Sequence, residues 1–130
     1  MVAGFDTTGK TLAHACYELA KNQDVQDKFR KEVDELVGDS ERELTYDDLR
    51  AMTYLDQIIS ETLRFHTPVA MLQRAVEKDY KVPGHNLVLK KDMAVWINVM
   101  SLHRDPKHYP NPEIFNPDNF SKEAKAERNP

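Results

Sequence analysis

The sequence predicts a mainly α chain with a small β-sheet, and three observations set that class. Before Pro68, apolar residues recur at separations of three and four, and the stretches that carry them stop at Asn22, Gly38 and Pro68. After Pro68, short β-type runs separated by turn residues replace that pattern. The segment Tyr109 to Phe120 holds three prolines and three aromatics, so it reads as an extended, packed meander.

Each element has its own signal. Val2 to Lys21 reads as the first helix, with Phe5, Leu12, Ala13, Cys16, Leu19 and Ala20 as a broad apolar face. Asn22-Gln23-Asp24 breaks it, and Asp24 is placed to cap a second helix from about Val25 to Val37, ended by Gly38. Val25, Phe29, Val33 and Leu36 form its apolar face, and Lys28, Arg30, Lys31, Glu32, Asp34 and Glu35 a solvated one. Asp39 to Leu44 is a polar loop. Thr45-Tyr46-Asp47-Asp48 has the form of a capping box, and Thr53-Tyr54-Leu55-Asp56 repeats it. These open a short helix to about Met52 and a longer one from Tyr54 to Phe65, with Leu55, Ile58, Ile59 and Leu63 as the buried stripe. Strands are expected at Leu72 to Val76, Asp79 to Val82, Leu87 to Leu89 and Met93 to Val99. Val82-Pro83-Gly84-His85-Asn86 turns between two of them, and Asp105-Pro106 opens one helical turn.

Composition narrows the function classes. At 130 residues the chain has the length of one domain. A net charge of −4 with 31% charged residues shows no bias towards nucleic acid. The longest apolar run, Met93 to Ile97, is too short to span a bilayer. The single cysteine, Cys16, excludes an internal disulfide and reads as a small buried hydrophobe. The chain opens inside a helical pattern and closes on the charged run Lys122 to Arg128 before Asn129-Pro130, which is the pattern of an internal piece of a longer protein.

Three places carry chemistry, each with a bland alternative. Ala3-Gly4-Phe5-Asp6-Thr7-Thr8 is poor helix sequence: Gly costs about 1 kcal/mol against Ala, and Asp and Thr compete for the backbone. A Thr7 hydroxyl bonded to the Ala3 carbonyl would open the helix locally; the alternative is a polar helix start. Glu61 and Arg64 share a helix face at i, i+3, either as an exposed pair of small worth or as a partly buried pair that needs further partners. Arg74, a lone cation in an apolar strand, either faces solvent or binds an anion such as a carboxylate. The five histidines show no metal-ligand spacing, and no phosphate loop or nucleophile elbow is present. On these residues alone, a small helical interaction module is the rival reading.

The order of the motifs decides between them. Ala3-Gly4-Phe5-Asp6-Thr7-Thr8, then Glu61-Thr62-Leu63-Arg64, then His103-Arg104-Asp105-Pro106, then Pro112 to Phe120 together resemble the cytochrome P450 superfamily, the haem-thiolate monooxygenases. The resemblance covers the whole chain and has the flavour of animal microsomal members, the insect branch in particular. It implies a fragment of that fold, from the long central helix to the meander. It also implies haem as cofactor, a small apolar substrate, and NADPH-cytochrome P450 reductase as electron donor. The implied location is the cytoplasmic face of the endoplasmic reticulum membrane, through an N-terminal anchor outside this chain.

Site residues follow from the same resemblance. Thr7 would deliver protons to dioxygen, Asp6 would feed that relay, and Ala3 and Gly4 would border the oxygen groove. Arg74 would bind a haem propionate, and Glu61 and Arg64 would lock the core behind the haem. Residues from about Thr67 to Gln73, with the start of the first helix, would line the substrate pocket. Two departures stand out. Asn119 occupies a position where the family usually has an arginine, and the family's haem-ligand cysteine loop lies downstream of Pro130. Cys16 cannot replace it, because nine helical residues from Thr7 put it about 13 Å along the axis and on the opposite face. The fragment by itself is therefore expected to be inactive.

Overall fold

The computed structural model describes residues 2–38 and 43–128, with the backbone alone for residues 2 and 3. Residues 39–42 of the polar loop, together with Asn129 and Pro130, lie outside the described residues. Four helices come first: α1 (Val2–Lys21), α2 (Gln23–Val37), α3 (Tyr46–Ala51) and α4 (Thr53–Phe65). Strands β1 (Met71–Ala75), β2 (Tyr80–Lys81), β3 (Val88–Leu89) and β4 (Ala94–Asn98) follow, then α5 (Val99–His103), a 3₁₀ turn at Pro117–Phe120 and α6 (Lys122–Arg128). The mainly α architecture with small antiparallel sheets is the one the sequence predicts. Helices α5 and α6 are additions: α5 begins at Val99, the last residue of an expected strand, and α6 lies in a run of charges.

Helix ends show how the chain punctuates itself. Gly38 closes α2 at φ 56°, a left-handed conformation that glycine adopts without a side-chain clash. At α3 the capping box is complete: Asp48 N donates to Thr45 Oγ1 (3.3 Å) and Thr45 N to Asp48 Oδ2 (2.8 Å). Two expected caps differ. Asp24 sits inside the first turn of α2; Asn22 holds the cap position and turns its amide back onto Glu18. Thr53 does not cap α4, whose cap position is Met52. A carboxylate from another helix does the work: Glu32 on α2 accepts from Tyr54 N (2.7 Å) and Leu55 N (3.0 Å). Glu32, expected on a solvated face, satisfies two of the orphan donors of α4 and complements its dipole.

The core is small, and two of its helices, α1 and α4, bury polar residues from outside their expected apolar faces. Val25, Tyr54, Ile58 and Phe115 form it, with Leu19, Phe29 and Phe65 packed around them. Along α4 the buried positions are Tyr54, Ile58, Glu61, Thr62 and Arg64, while Ile59 and Leu63 are exposed. Helix α1 shows the same inversion. Phe5 and Leu12 are exposed, Cys16 is exposed rather than buried, and Glu18 is 1% exposed. On α2 the expected face is the one packed on the core, through Val25 and Phe29, whereas on α1 and in part on α4 the apolar pattern located the helix but not the face it buries here. The chain exposes 9920 Å², about 40% more than the roughly 7,100 Å² expected of a globular protein of 15.1 kDa.

The second half is held by short antiparallel pairs. Strands β1 and β4 pair from Met71↔Asn98 to Ala75↔Ala94, and β2 pairs with β3 at Tyr80↔Leu89 and Lys81↔Val88. Gly84, at φ 76°, makes the turn between β2 and β3, closed by Val82 N on the Leu87 carbonyl (2.9 Å). The Asp105-Pro106 turn forms, with the amides of His108 and Tyr109 each 3.0 Å from the Asp105 carbonyl. Beyond it, the meander buries Phe115, Pro117 and Asn119 against α4.

Candidate functional site

Arg64 and Glu61 occupy the most enclosed part of the chain, at 1% and 0% exposure. Their fork is bidentate: Arg64 Nε donates to Glu61 Oε2 and Nη2 to Oε1, both at 2.7 Å. Three donors of the guanidinium remain, and all reach backbone carbonyls. Nη1 donates to His103 (2.8 Å) and Pro112 (3.0 Å), and Nη2 to Ile114 (3.3 Å). All five guanidinium hydrogens are matched, which is the condition for burying such a charge. Glu61 Oε1 also accepts from Asn116 N (2.8 Å) and Asn119 Nδ2 (3.2 Å). Asn119 thus joins the cluster as a neutral donor. The pair ties α4 to both sides of the meander.

Histidine 103 borders this cluster. Its Nδ1 lies 2.7 Å from Thr67 Oγ1, and its backbone carbonyl takes an Arg64 hydrogen. Burial first, and then the Arg64 charge, holds its pKa below the ordinary value of 6.5. The unfolded chain therefore binds a proton at His103 at a pH where the folded chain does not. The stabilisation is present above about 6.5 and is lost as pH falls through that value towards the folded pKa. Urea unfolding at about pH 7 and about pH 5.5 should show lower stability on the acid side, with less of that difference in His103→Gln.

Helix α1 presents a polar stripe. Thr7, Thr11, His14 and Glu18, spaced 4, 3 and 4 apart, fall within about 60° of one another around the axis. Glu18 Oε1 lies 2.7 Å from His66 Nε2 on the C-cap residue of α4, and Asn22 Nδ2 donates to Oε2 at 3.1 Å. The His14 and His66 rings stack at 4.2 Å and 4°. Sequence reasoning passed over this group. The i, i+4 spacing of His14 and Glu18 was a usable signal, but His66 joins them from 48 residues away.

Of the residues marked by resemblance, Glu61 and Arg64 form the first cluster, and Gly4, Asp6, Thr7 and Arg74 lie apart from it. Helix α1 runs through Ala3 to Thr8 without the expected interruption. Thr11 Oγ1 donates to the Thr7 carbonyl at 2.8 Å, a competition for the backbone of the kind expected for Thr7 itself. Thr7 itself is exposed, and Asp6 makes an exposed ion pair with Lys10 at 2.7 Å. Gly4 faces open space; the Ala3 side chain is outside the described residues. Arg74 stands exposed on β1, its Nη1 on the neighbouring Gln73 carbonyl (2.9 Å). Its other four N–H donors have no partner among the described residues. Nor does any group of three or more His, Cys, Asp or Glu among the described residues converge as a metal site.

The chain matches the Cytochrome P450 family model over residues 1–130. It is 51% identical over 127 residues to Cytochrome P450 6a9 of Drosophila melanogaster, covering 97% of this chain and 25% of that protein. Cytochrome P450 6a2 of the same fly is 49% identical over 128 residues (98% and 25%), and Cytochrome P450 6B7 of Helicoverpa armigera is 43% identical over 129 (99% and 26%). The chain therefore spans about a quarter of the length of the insect relatives it matches. Its motifs, its helix-to-meander cluster and this similarity along its whole length agree: the chain belongs to the cytochrome P450 family.

Proposed function

We propose that residues 1–130 are the central-helix-to-meander part of a haem-thiolate monooxygenase. The whole protein would insert one oxygen atom of dioxygen into an apolar small molecule, using electrons from NADPH-cytochrome P450 reductase. Family membership along the entire chain carries this reading. When bound, haem supplies the redox chemistry, and the residues of this chain supply its surroundings. Arg74 fits a propionate: it is an exposed guanidinium with four donors available for a carboxylate. Thr7 holds a proton on its hydroxyl, Asp6 passes protons to it, and Ala3 and Gly4 leave a low wall beside them. Residues 67–73 border the substrate. Glu61 and Arg64 keep α4 and the meander in one frame behind the site.

Cys16 does not fit the role of the cysteine that would hold the haem iron. It is exposed on α1, half a turn around the axis from Thr7 and about 13 Å along it. We assign the thiolate to a part of the longer protein outside residues 1–130, where the surface left open on α1 and β1 would also be covered. The fragment alone is then inactive. The similarity to animal members supports attachment to the endoplasmic reticulum, with the site on its cytoplasmic face, through an N-terminal anchor outside residues 1–130; no described helix is long and apolar enough to cross a membrane.

The test compares two proteins. With haem, reductant and carbon monoxide, the longer protein should give the thiolate-type Soret band, and residues 1–130 alone should not. A thiolate band from residues 1–130 would make Cys16 the ligand and overturn the assignment; its absence from the longer protein would sink the monooxygenase reading.

A further inference from the structure

We propose that Glu18 and His66 form a carboxylate–imidazole relay that moves protons, through the cavity beside α1, towards the Asp6–Thr7 turn. The proposal rests on the reading above that this turn uses protons. It starts from a buried group which that reading leaves unused. Glu18 is 1% exposed, and a carboxylate so enclosed needs partners. It has Asn22 on one oxygen and an imidazole, not a lysine or arginine, on the other.

The geometry fixes what the imidazole can do. With Nε2–H on the Glu18 carboxylate, Nδ1 of His66 is left as a lone pair. It has no hydrogen-bond partner among the described residues, and neither does the ring of His14 stacked on it. Both imidazoles line a cavity of about 370 Å³ with Lys10, Thr11, Thr67 and Arg104. Such a space, walled by these polar groups and by Phe65, Pro68 and Met100, has room for a chain of waters. The Lys10 at its wall is the one paired with Asp6, and Thr11 bonds the Thr7 carbonyl, so the cavity ends at residues that each hold one residue of the turn.

Charges around the imidazoles come from each element packed on them. Helix α1 contributes Lys10, Glu18 and the edge of Tyr17; α4 contributes Arg64; Arg104 follows α5. Arg64 is fully matched, and Arg104 is held by the Phe65 carbonyl (3.0 Å) and by Glu113. An imidazole carries both an N–H and a lone pair, so it can take up a proton and pass one on. In the proposed step, His66 Nδ1 takes a proton that bulk solvent delivers through cavity water, and returns it to the water chain, which passes it to a carboxylate oxygen of Asp6 and so towards Thr7. Glu18 stabilises the imidazolium between the two transfers, and no electron moves.

Two measurements test this. In residues 1–130, ¹⁵N shifts should give His66 as the Nε2–H tautomer, and Glu18→Gln should convert it to a mixture; unchanged shifts would remove the dyad. In the longer haem-loaded protein, His66→Phe keeps a ring for His14 to stack on but no proton carrier. Its product yield per NADPH should fall, with a larger solvent deuterium isotope effect and a flatter dependence on pH between about 5 and 8. Glu18→Gln/His66→Phe, which leaves no buried charge unpaired, should behave alike and covers the case where His66→Phe folds poorly. If both variants keep the parent's isotope effect and pH profile while Thr7→Ala loses coupling, the relay is wrong and the function of the turn stands. If Thr7→Ala stays coupled, the turn's function and the relay fall together.

Discussion

Arg64→Ala unfolds the chain or leaves it on the edge of unfolding. The substitution removes five hydrogen bonds at once and leaves Glu61 buried at 0% exposure, with only amide donors. Removing one partner of a buried pair typically costs about 3–5 kcal/mol, on the scale of the whole stability of a small domain. The carbonyls of His103, Pro112 and Ile114 lose their donor together, so the meander should detach from α4. Arg64→Lys is no rescue, because an ammonium cannot reach both carboxylate oxygens and three carbonyls. Urea unfolding followed by circular dichroism reads the effect. Glu61→Ala/Arg64→Ala should be less harmful than the two single losses added together, since the double variant strands no charge. A loss below about 1 kcal/mol in Arg64→Ala would return the pair to the class of exposed ion pairs.

Local signals in the sequence were read well where one residue decides the outcome. Thr45 with Asp48 makes its capping box, and Gly38 and Gly84 take the left-handed angles their turns require. What was missed depends on which surfaces meet. The i, i+3 spacing put Glu61 and Arg64 on one face but said nothing of the carbonyls 39 to 50 residues away that satisfy Arg64. Glu32 looked like one of six charges on a solvated face; only the approach of α4 makes it a cap. On α1 the apolar face marks the helix correctly, yet the face that packs on α4 is the polar stripe ending at Glu18. Amphipathic pattern tells that a helix has two faces; which one is covered depends on the rest of the domain. The excess surface on this chain and its span of a quarter of its relatives go together in that respect. Helix α6 escaped for a related reason: seven residues with no apolar stripe give no periodic signal, and it docks by stacking Arg128 on Tyr109, 4.5 Å from its ring centre.

Thr7→Ala should leave the fold and haem binding of the longer protein nearly intact while it uncouples the reaction. Ala is the better helix former, and α1 is continuous at this point. The change removes a hydroxyl from the head of the α1 stripe, one turn before Thr11 and beside the Asp6–Lys10 pair. Positioned proton transfer of this sort is worth about 10²–10⁴-fold, so product formation should fall by a factor in that range. Dioxygen and NADPH should still be consumed, with the reducing equivalents appearing as peroxide or water. Thr7→Ser keeps the hydroxyl and should retain most of the coupling, which separates proton delivery from simple crowding by the threonine methyl. Asp6→Asn should slow turnover through the supply of protons, with a milder loss of coupling than Thr7→Ala. The decisive reading is product formed per NADPH, alongside the rate and the haem content. A Thr7→Ala protein with parental yield and rate would return Thr7 to the role of an ordinary residue near a helix start, and the polar stripe of α1 would be packing and nothing more.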